Sequence, residues 1–192
     1  REIMRQNQEI LRRNQDLSAR NAVGIAVSQA TNLDDALGLA LETVLQITGT
    51  ESGEILVLEE ESQRLVVHAH RGIEAEAFEE ITSFKLGEGL PGLVAQSGEP
   101  VLVHDLPHDP RFVRKKVIAC GFRSFAGVPL RSKNQVVGVM EVASLDSHRI
   151  TDDSLVLLTA IGNQIGVAIE NARLTEQVRY LATLEERDRI GR

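Results

Sequence analysis

Two histidines and two aspartates fall within one six-residue stretch of the sequence, at positions 104–109. Both residue types are common ligands of transition metals, so His104, Asp105, His108 and Asp109 form a first candidate site. Prolines lie within and beside the same stretch, and aspartates in such loops more often accept hydrogen bonds from nearby backbone amides and fix turns. We therefore predict a turn here and no bound metal.

The single cysteine of the chain, Cys120, is a second candidate. One thiol excludes an internal disulfide and a multi-cysteine metal site, and it fits a reducing, cytoplasmic compartment. A redox-active cysteine needs a lowered pKa, which Lys115, Lys116 or Arg123 would favour. Apolar neighbours on both sides favour instead a small residue packed in the interior, and we prefer that structural role.

Two further motifs are less specific. His68 and His70 are two residues apart, so in a strand both would face the same side. An ordinary sheet face is the expectation there, with haem or anion binding as the alternative. The glycine-rich stretch at 87–92 lacks the Lys-Ser/Thr of a phosphate-binding loop, and it predicts a turn that enters a helix.

Helices and strands must position these residues, and the spacing of apolar residues along the chain predicts where each type lies. Residues 1–30 contain no proline and predict one helix, and Asn32 is a capping residue for the next. Short aliphatic runs at 53–60 and 64–71 predict a hairpin. The remaining predicted elements are a helix at 90–97, a strand at 101–103, two strands within 123–144 and a helix at 151–190. Because the strands follow one another without regular intervening helices, the fold class is α+β with a mainly antiparallel sheet.

The first predicted helix carries an asparagine at every seventh position, beside a file of apolar residues with the same period. Asparagine at the a position of a coiled coil lowers stability but fixes register and favours a parallel dimer. The last third of the final helix, which we expect to project from the body, repeats the apolar spacing. The predicted dimer seam consists of Asn7, Ile10, Asn14, Leu17, Asn21, Leu174, Val178 and Leu181. The alternative is a solvated polar helix with a narrow apolar stripe.

Charge and composition exclude several classes of partner. The net charge is −7 and aromatic residues are 3% of the chain, whereas nucleic-acid binding needs a basic face. No uninterrupted apolar run has the length of a membrane span, so we expect none in this chain. The chain begins at Arg1 and ends inside a charged run, which indicates a fragment of a longer protein.

Four stretches taken together resemble the GAF domain family, a small-molecule-sensing fold related to PAS. They are residues 87–112, 120–130, 136–144 and 150–174, and the resemblance rests on their order and spacing. It implies a central antiparallel sheet with helices on both faces and a ligand pocket on one face under residues 84–122. The N- and C-terminal helices would then pack together on the other face.

The resemblance also implies which residues line a pocket. The candidates are His104, Asp105, Phe112, Cys120, Phe122, Arg123 and Phe125. Arg123 would pair with an anionic ligand; the alternative places Arg123 on the surface and the phenylalanines in the core. In bilin-binding GAF domains the attachment cysteine falls near the position of Arg111, so no covalent bilin is expected. Haem and metal are not expected either, and the cofactor is unknown.

The end of the chain carries a second resemblance. The stretch at 181–192 is similar to the entry of the phosphoacceptor helix of sensor histidine kinases, where Glu186, Arg189, Ile190 and Arg192 match its opening. The predicted division is a dimerising helix at 1–30, a GAF sensor domain at 31–172 and a signalling helix at 173–192.

These resemblances imply a homodimeric sensor that binds a small molecule or senses a redox cue. It would relay the signal to a kinase transmitter, whose partner is a response regulator. The alternatives are a nucleotide cyclase or transcription regulator as output, and a ligand-free dimerisation scaffold. GAF enzymes that reduce free methionine sulfoxide use several cysteines, so no enzyme activity is expected in this chain itself.

Overall fold

A six-stranded antiparallel sheet lies at the centre of the chain in the computed structural model, which describes residues 1–191. Along the sheet the strand order is β3-β2-β1-β6-β5-β4. The strands are β1 (Ser52–Glu59), β2 (Arg64–Gly72), β3 (Ser83–Lys85), β4 (Val101–Val103), β5 (Ser124–Ser132) and β6 (Gln135–Ser144). The helices are α1 (Glu2–Gln29), α2 (Leu33–Thr48), α3 (Ala75–Phe78), α4 (Gly89–Ser97), α5 (Lys115–Ala119) and α6 (Asp152–Ile190), and Leu106–His108 form a 3₁₀ turn. The predicted α+β class, antiparallel sheet and long terminal helices are confirmed.

Side chains cap the starts of two long helices, at Asn32 as predicted and at Thr151. Asn32 accepts a hydrogen bond from the amide of Asp35 at the start of α2, and Gly49 ends that helix in the left-handed conformation. At the start of α6, the side chain of Thr151 accepts from the amide of Ser154, and the hydroxyl of Ser154 accepts from the backbone amide of Thr151. Local sequence therefore fixes where both helices begin.

Three helices cover one face of the sheet. α2 contacts β1 and β2, α6 contacts β5 and β6, and α1 lies against both helices. Val23 of α1 is fully buried in the same apolar cluster as Ile161 and Ile165 of α6. Gly166 permits a close approach between α6 and β5, since a Cβ there would lie 2.2 Å from the carbonyl oxygen of Arg131. The terminal helices pack together on this face, as expected.

Helices α1 and α6 run parallel, and their ends extend beyond the body in opposite directions. Arg12 contacts Asp153 near the start of α6, and Gly24 faces Gln164 eleven residues later. The first eleven residues of α1 and residues 174–190 of α6 are exposed. The prediction that the last part of α6 projects is confirmed.

The composition of α6 also meets the length and apolarity of a membrane span. Its apolar side chains have another role here, because Ile161, Ile165 and Ile169 are fully buried in the core against the sheet. The absence of a membrane span in this chain stays a prediction.

The opposite face of the sheet lies under residues 84–122, which we call the covering segment. This segment contains most of β3, the helices α4 and α5, and the edge strand β4. Two apolar clusters fill the space beneath it, one around Phe78, Phe122 and Phe125 and the other around Phe84. The candidate site lies between the two clusters.

Candidate functional site

Two buried glutamates lie side by side on the covered face of the sheet. Glu54 of β1 is directly opposite Glu141 of β6 in the strand register, so both side chains leave the sheet on the same face. Each is only 2% exposed. Buried carboxylates are costly unless they are paired, so this position demands a cation or protons.

Arg114 of the covering segment supplies that cation. It is 1% exposed, and its Nη1 donates to Glu54 Oε2 at 2.5 Å and to Glu141 Oε1 at 2.9 Å. Its Nε and Nη2 donate to the carbonyl oxygen of Ile81, at 3.0 and 2.6 Å. The guanidinium carbon also lies 5.5 Å and 5.0 Å from the ring centroids of Phe78 and Phe84. Two carboxylates, one carbonyl and two aromatic faces thus enclose one positive charge.

The cluster contains two carboxyl groups but one guanidinium. Burial, followed by repulsion from Glu141, raises the pKa of Glu54 to about 9, against the opposing attraction of Arg114. Burial also raises the pKa of Glu141, although Arg114 favours its ionised form. One guanidinium can balance only one of two carboxylates, so burial favours a proton on this pair.

Two buried polar atoms at this site have no hydrogen-bond partner among the described residues. One is Glu141 Oε2, and the other is Nε2 of His70, which lies opposite Glu54 on β2. Burial lowers the pKa of His70, and the charges of Arg114 and Arg71 lower it further, so its ring is neutral at pH 7. The row of His70, Glu54 and Glu141 across three strands is thus incompletely satisfied.

The space above this row is narrow. A narrow gap borders Glu141 and Arg114, and it is too constricted to admit a water molecule. The covering segment contributes the rings of Phe84 and Phe112 and the side chain of Leu90 to its wall. The expected pocket under this segment is closed, and the Arg114 side chain fills its polar part.

The predicted aromatic residues belong to the core beneath the covering segment. Phe122 and Phe125 are fully buried, and the ring of Phe112 lies 5.8 Å from that of Phe125. Arg123 is exposed, because it lies between the inward-facing Phe122 and Ser124. Its predicted place in the pocket, paired with an anion, is wrong, and the alternative of a surface arginine beside core phenylalanines is what the structure has.

His104, Asp105 and His108 of the 104–109 stretch lie on the outside of the domain. His104 Nδ1 is 3.0 Å from the carbonyl oxygen of Ser147, and Asp105 is paired with His108 at 2.8 Å. His104 and Asp105 are both exposed and do not border the cavity beside Glu141. Asp109 accepts from the backbone amide of Arg111 at 2.9 Å, as expected for an aspartate that fixes a turn.

Cys120 does not line the cavity either. It is exposed at the end of α5, and its Sγ lies 3.4 Å from Glu74 Oε2. Desolvation and the Glu74 carboxylate raise the pKa of this thiol. The expected interior packing is wrong, and so is a thiol activated by the neighbouring lysines, because the group that reaches it is an acid.

Sequence reasoning missed the three central residues of the site. Glu54 and Glu141 are each an acid in the interior of a mainly aliphatic strand, with Ile55 and Met140 among their neighbours. That pattern is the one available signal, since strands of a buried sheet rarely contain an unpaired charge. Arg114 gave no such signal, because it follows Arg111 and precedes two lysines in a charged run.

The predicted dimer seam is exposed along its whole length. In α1, Asn7, Ile10 and Leu17 point away from the face that carries the buried Ala19 and Val23. The α6 members of the seam are exposed as well, namely Leu174, Val178 and Leu181. Asn14 and Asn21 are likewise exposed. These side chains are available to a partner, and the dimer stays a prediction.

A family comparison accounts for the architecture. Residues 30–170 match the model of the GAF domain family, which is more than half of the chain. The chain belongs to the GAF domain family. The GAF domain of a phosphoenolpyruvate-protein phosphotransferase from Coxiella burnetii has the same fold, with a TM-score of 0.75 at 21% identity, covering 85% of this chain and 97% of that one.

Relatives of this GAF domain have different outputs. A Nif-specific regulatory protein of Herbaspirillum seropedicae is 29% identical over 67% of this chain and 26% of its own length. The sensor histidine kinase YhcY of Bacillus subtilis is 25% identical over 86% of this chain and 45% of its own length. The chain thus spans less than half of either relative, and regulation is the role these proteins share.

Proposed function

We propose that this GAF domain is the dimeric sensory module of a sensor histidine kinase. The observation that carries the proposal is the unbroken α6, which runs from the domain core to an exposed, charged end. A rigid helix of 39 residues extends about 58 Å at 1.5 Å per residue, so it can transmit a displacement of the core to a following domain.

The relay begins at the covered face of the sheet. A small molecule that enters beneath the covering segment would change the contacts of Arg114 with Glu54 and Glu141. Strand β6, which carries Glu141, pairs along its length with β5, and Gly166 of α6 packs directly on the β5 backbone at Arg131. A shift of these strands therefore reaches α6 through backbone contacts, which deform little.

In the dimer, that shift would change the packing of the exposed seam residues of α1 and α6. The apolar residues of α1 and α6 project at opposite ends of the body, so two copies in parallel would meet along both helices. An asparagine-rich seam is a marginal coiled coil, which suits a pair of helices that must adopt two packings.

Two observations support a kinase output. They are the motif at residues 181–192 and the similarity to the sensor histidine kinase YhcY, which extends over 86% of this chain. Glu186 and Arg189 form an exposed ion pair at 3.2 Å near the end of α6, and Ile190 beside them is exposed. Arg192, the last residue of the tail motif, lies outside the described residues. In this proposal the transmitter that follows passes its phosphoryl group to a response regulator.

The similarity to a Nif-specific regulatory protein favours a second candidate, a transcription regulator with the same sensory domain. The two candidates are separated by incubating the full-length protein with radiolabelled ATP. A kinase acquires an acid-labile label, as expected for phosphohistidine, and a transcription regulator does not.

The relay itself is tested by changing the length of α6. Seven residues inserted after Thr183 preserve the heptad phase, so regulated autophosphorylation should survive. Insertion of four residues rotates the following helix and should lock the kinase in one state. Equal behaviour of the two insertions would contradict a rotationally specific relay through α6.

A further inference from the structure

The groups around Arg114 all interact favourably with a cation. Most of them belong to other elements of the fold, so their positions do not depend on Arg114. Glu54 and Glu141 are on central strands, and the carbonyl of Ile81 lies before β3. Phe78 and Phe84 add the faces of two aromatic rings. Such a set is a receptor for a planar or compact organic cation, and Arg114 is the cation now in it.

One carboxylate oxygen of this cation site has no hydrogen-bond donor among the described residues. This oxygen, Glu141 Oε2, is buried and belongs to a side chain that borders the narrow gap beside Arg114. Two carboxyl groups share one guanidinium. A ligand with several N–H donors would satisfy this oxygen, whereas a neutral or anionic ligand that displaced Arg114 would leave buried carboxylates without a counter-charge.

Arg114 differs from the rest of the site in its location. It belongs to the covering segment, directly before the five-residue helix α5. Its neighbours Val113 and Lys115 are exposed, so the guanidinium is the buried anchor of this part of the segment. A competing cation would therefore release the segment while it preserved the charge balance on the sheet.

We infer that Arg114 is an intramolecular occupant of a cation site formed by Glu54 and Glu141, and that the diffusible ligand is a small organic cation of the guanidinium or amine class. Its binding displaces Arg114 and frees the covering segment. This inference rests on the proposed sensory function and specifies the ligand class of that site. The ligand binds noncovalently.

The site is tested by emptying it and offering the missing group. Arg114→Ala removes the side chain beyond Cβ, so ethylguanidinium replaces the atoms that are lost. We expect this cation, at about a hundred times its Kd, to raise the Tm of the variant by roughly 5–10 °C. Ethylurea, a neutral molecule of the same shape, should have no such effect.

The matched control is the triple variant Arg114→Ala/Glu54→Gln/Glu141→Gln, which has no charge at the site. It should fold and should show no response to ethylguanidinium. If Arg114→Ala alone does not fold, recovery of its native circular dichroism in ethylguanidinium is the expected result. An equal response to ethylurea, an equal response of the triple variant, or a failure of ethylguanidinium to restore or stabilise Arg114→Ala would each overturn the cation site.

Displacement of Arg114 is tested on the unmodified chain by hydrogen exchange. Ethylguanidinium should accelerate exchange of amides at 112–120, and ethylurea at the same concentration should not. Unchanged exchange there, with ethylguanidinium bound to Arg114→Ala, would overturn the displacement. Neither measurement depends on the dimer or the kinase, so a failed cation site leaves the relay through α6 standing, and a failed relay leaves the cation site standing.

Discussion

The proton held between Glu54 and Glu141 makes the stability of the domain depend on pH in a way that one substitution should remove. Glu54→Gln replaces a carboxyl group that is protonated at neutral pH by an amide of the same shape. Glu141 then forms a one-to-one ion pair with Arg114, which already donates to it at 2.9 Å. The variant should therefore fold and need no shared proton.

The magnitude follows from the displaced pKa. Glu54 titrates at 4.5 in the unfolded chain and at about 9 in the folded one, so between these values the folded state holds a proton that the unfolded state lacks. The stabilisation from this group is fully present below pH 4.5 and is lost progressively as the pH rises towards 9. The slope is about 1.4 kcal/mol per pH unit for one proton, or on the order of 3 kcal/mol between pH 5 and pH 7.

The assay is urea-induced unfolding at pH 5, 6, 7 and 8, followed by circular dichroism at one fixed protein concentration because a dimer would make stability concentration-dependent. At pH 5 the variant and the unmodified protein should agree within about 1 kcal/mol, since Gln resembles a protonated Glu. At pH 7 the variant should be more stable by on the order of 3 kcal/mol.

The control is Glu59→Gln, a change of the same chemistry at the exposed end of the same strand. Its profile should run parallel to that of the unmodified protein. If the Glu54→Gln profile were parallel as well, Glu54 would be ionised in the folded state, and the inference of a shared buried proton would fail.

Three further outcomes are expected. Arg114→Met should lower the free energy of unfolding by about 3–5 kcal/mol at pH 7, because it leaves buried carboxyl groups without a counter-charge; a loss below 1 kcal/mol in urea unfolding would contradict this. Gly166→Ala should cost about 1–3 kcal/mol or more, since its Cβ would lie 2.2 Å from a β5 carbonyl oxygen, and an unchanged Tm would show that α6 is not seated as described. Replacing Asn7, Asn14 and Asn21 together by Ile should tighten the dimer and lock the output, and an unchanged dimer dissociation constant in analytical ultracentrifugation would refute their place in the seam.

Much of the fold could be predicted because its signals are local. Asn32 and Thr151 are capping residues with the next residues of the motif in place, and Gly49 is a helix stop that needs no tertiary information. The hairpin of β1 and β2 follows from two aliphatic runs around a polar turn. These features depend on chain segments of a few residues, which the sequence displays directly.

The candidate site was predicted less well because its residues are far apart in sequence. Phe122 and Phe125 were named as pocket residues from the family resemblance, with burial in the core as the alternative that their apolar character implies. Arg123 was named because the family resemblance places the pocket lining in this region, and charge alone does not tell whether Arg114 or Arg123 faces inward. That choice depends on how the covering segment crosses the sheet.

The sequence by itself determined the type of the longer helices and strands, because backbone propensity and apolar period are properties of neighbouring residues. The order and spacing of four stretches carried the resemblance to the GAF family. The tertiary structure alone decided that Glu54 and Glu141 lie opposite each other and that Arg114 reaches both from 60 and 27 residues away in sequence. Strand register and the path of the covering segment bring these charges together, and burial then turns ordinary surface residue types into a paired cation site. The same burial raises the pKa of Glu54 and Glu141, a property that arises only in the folded chain.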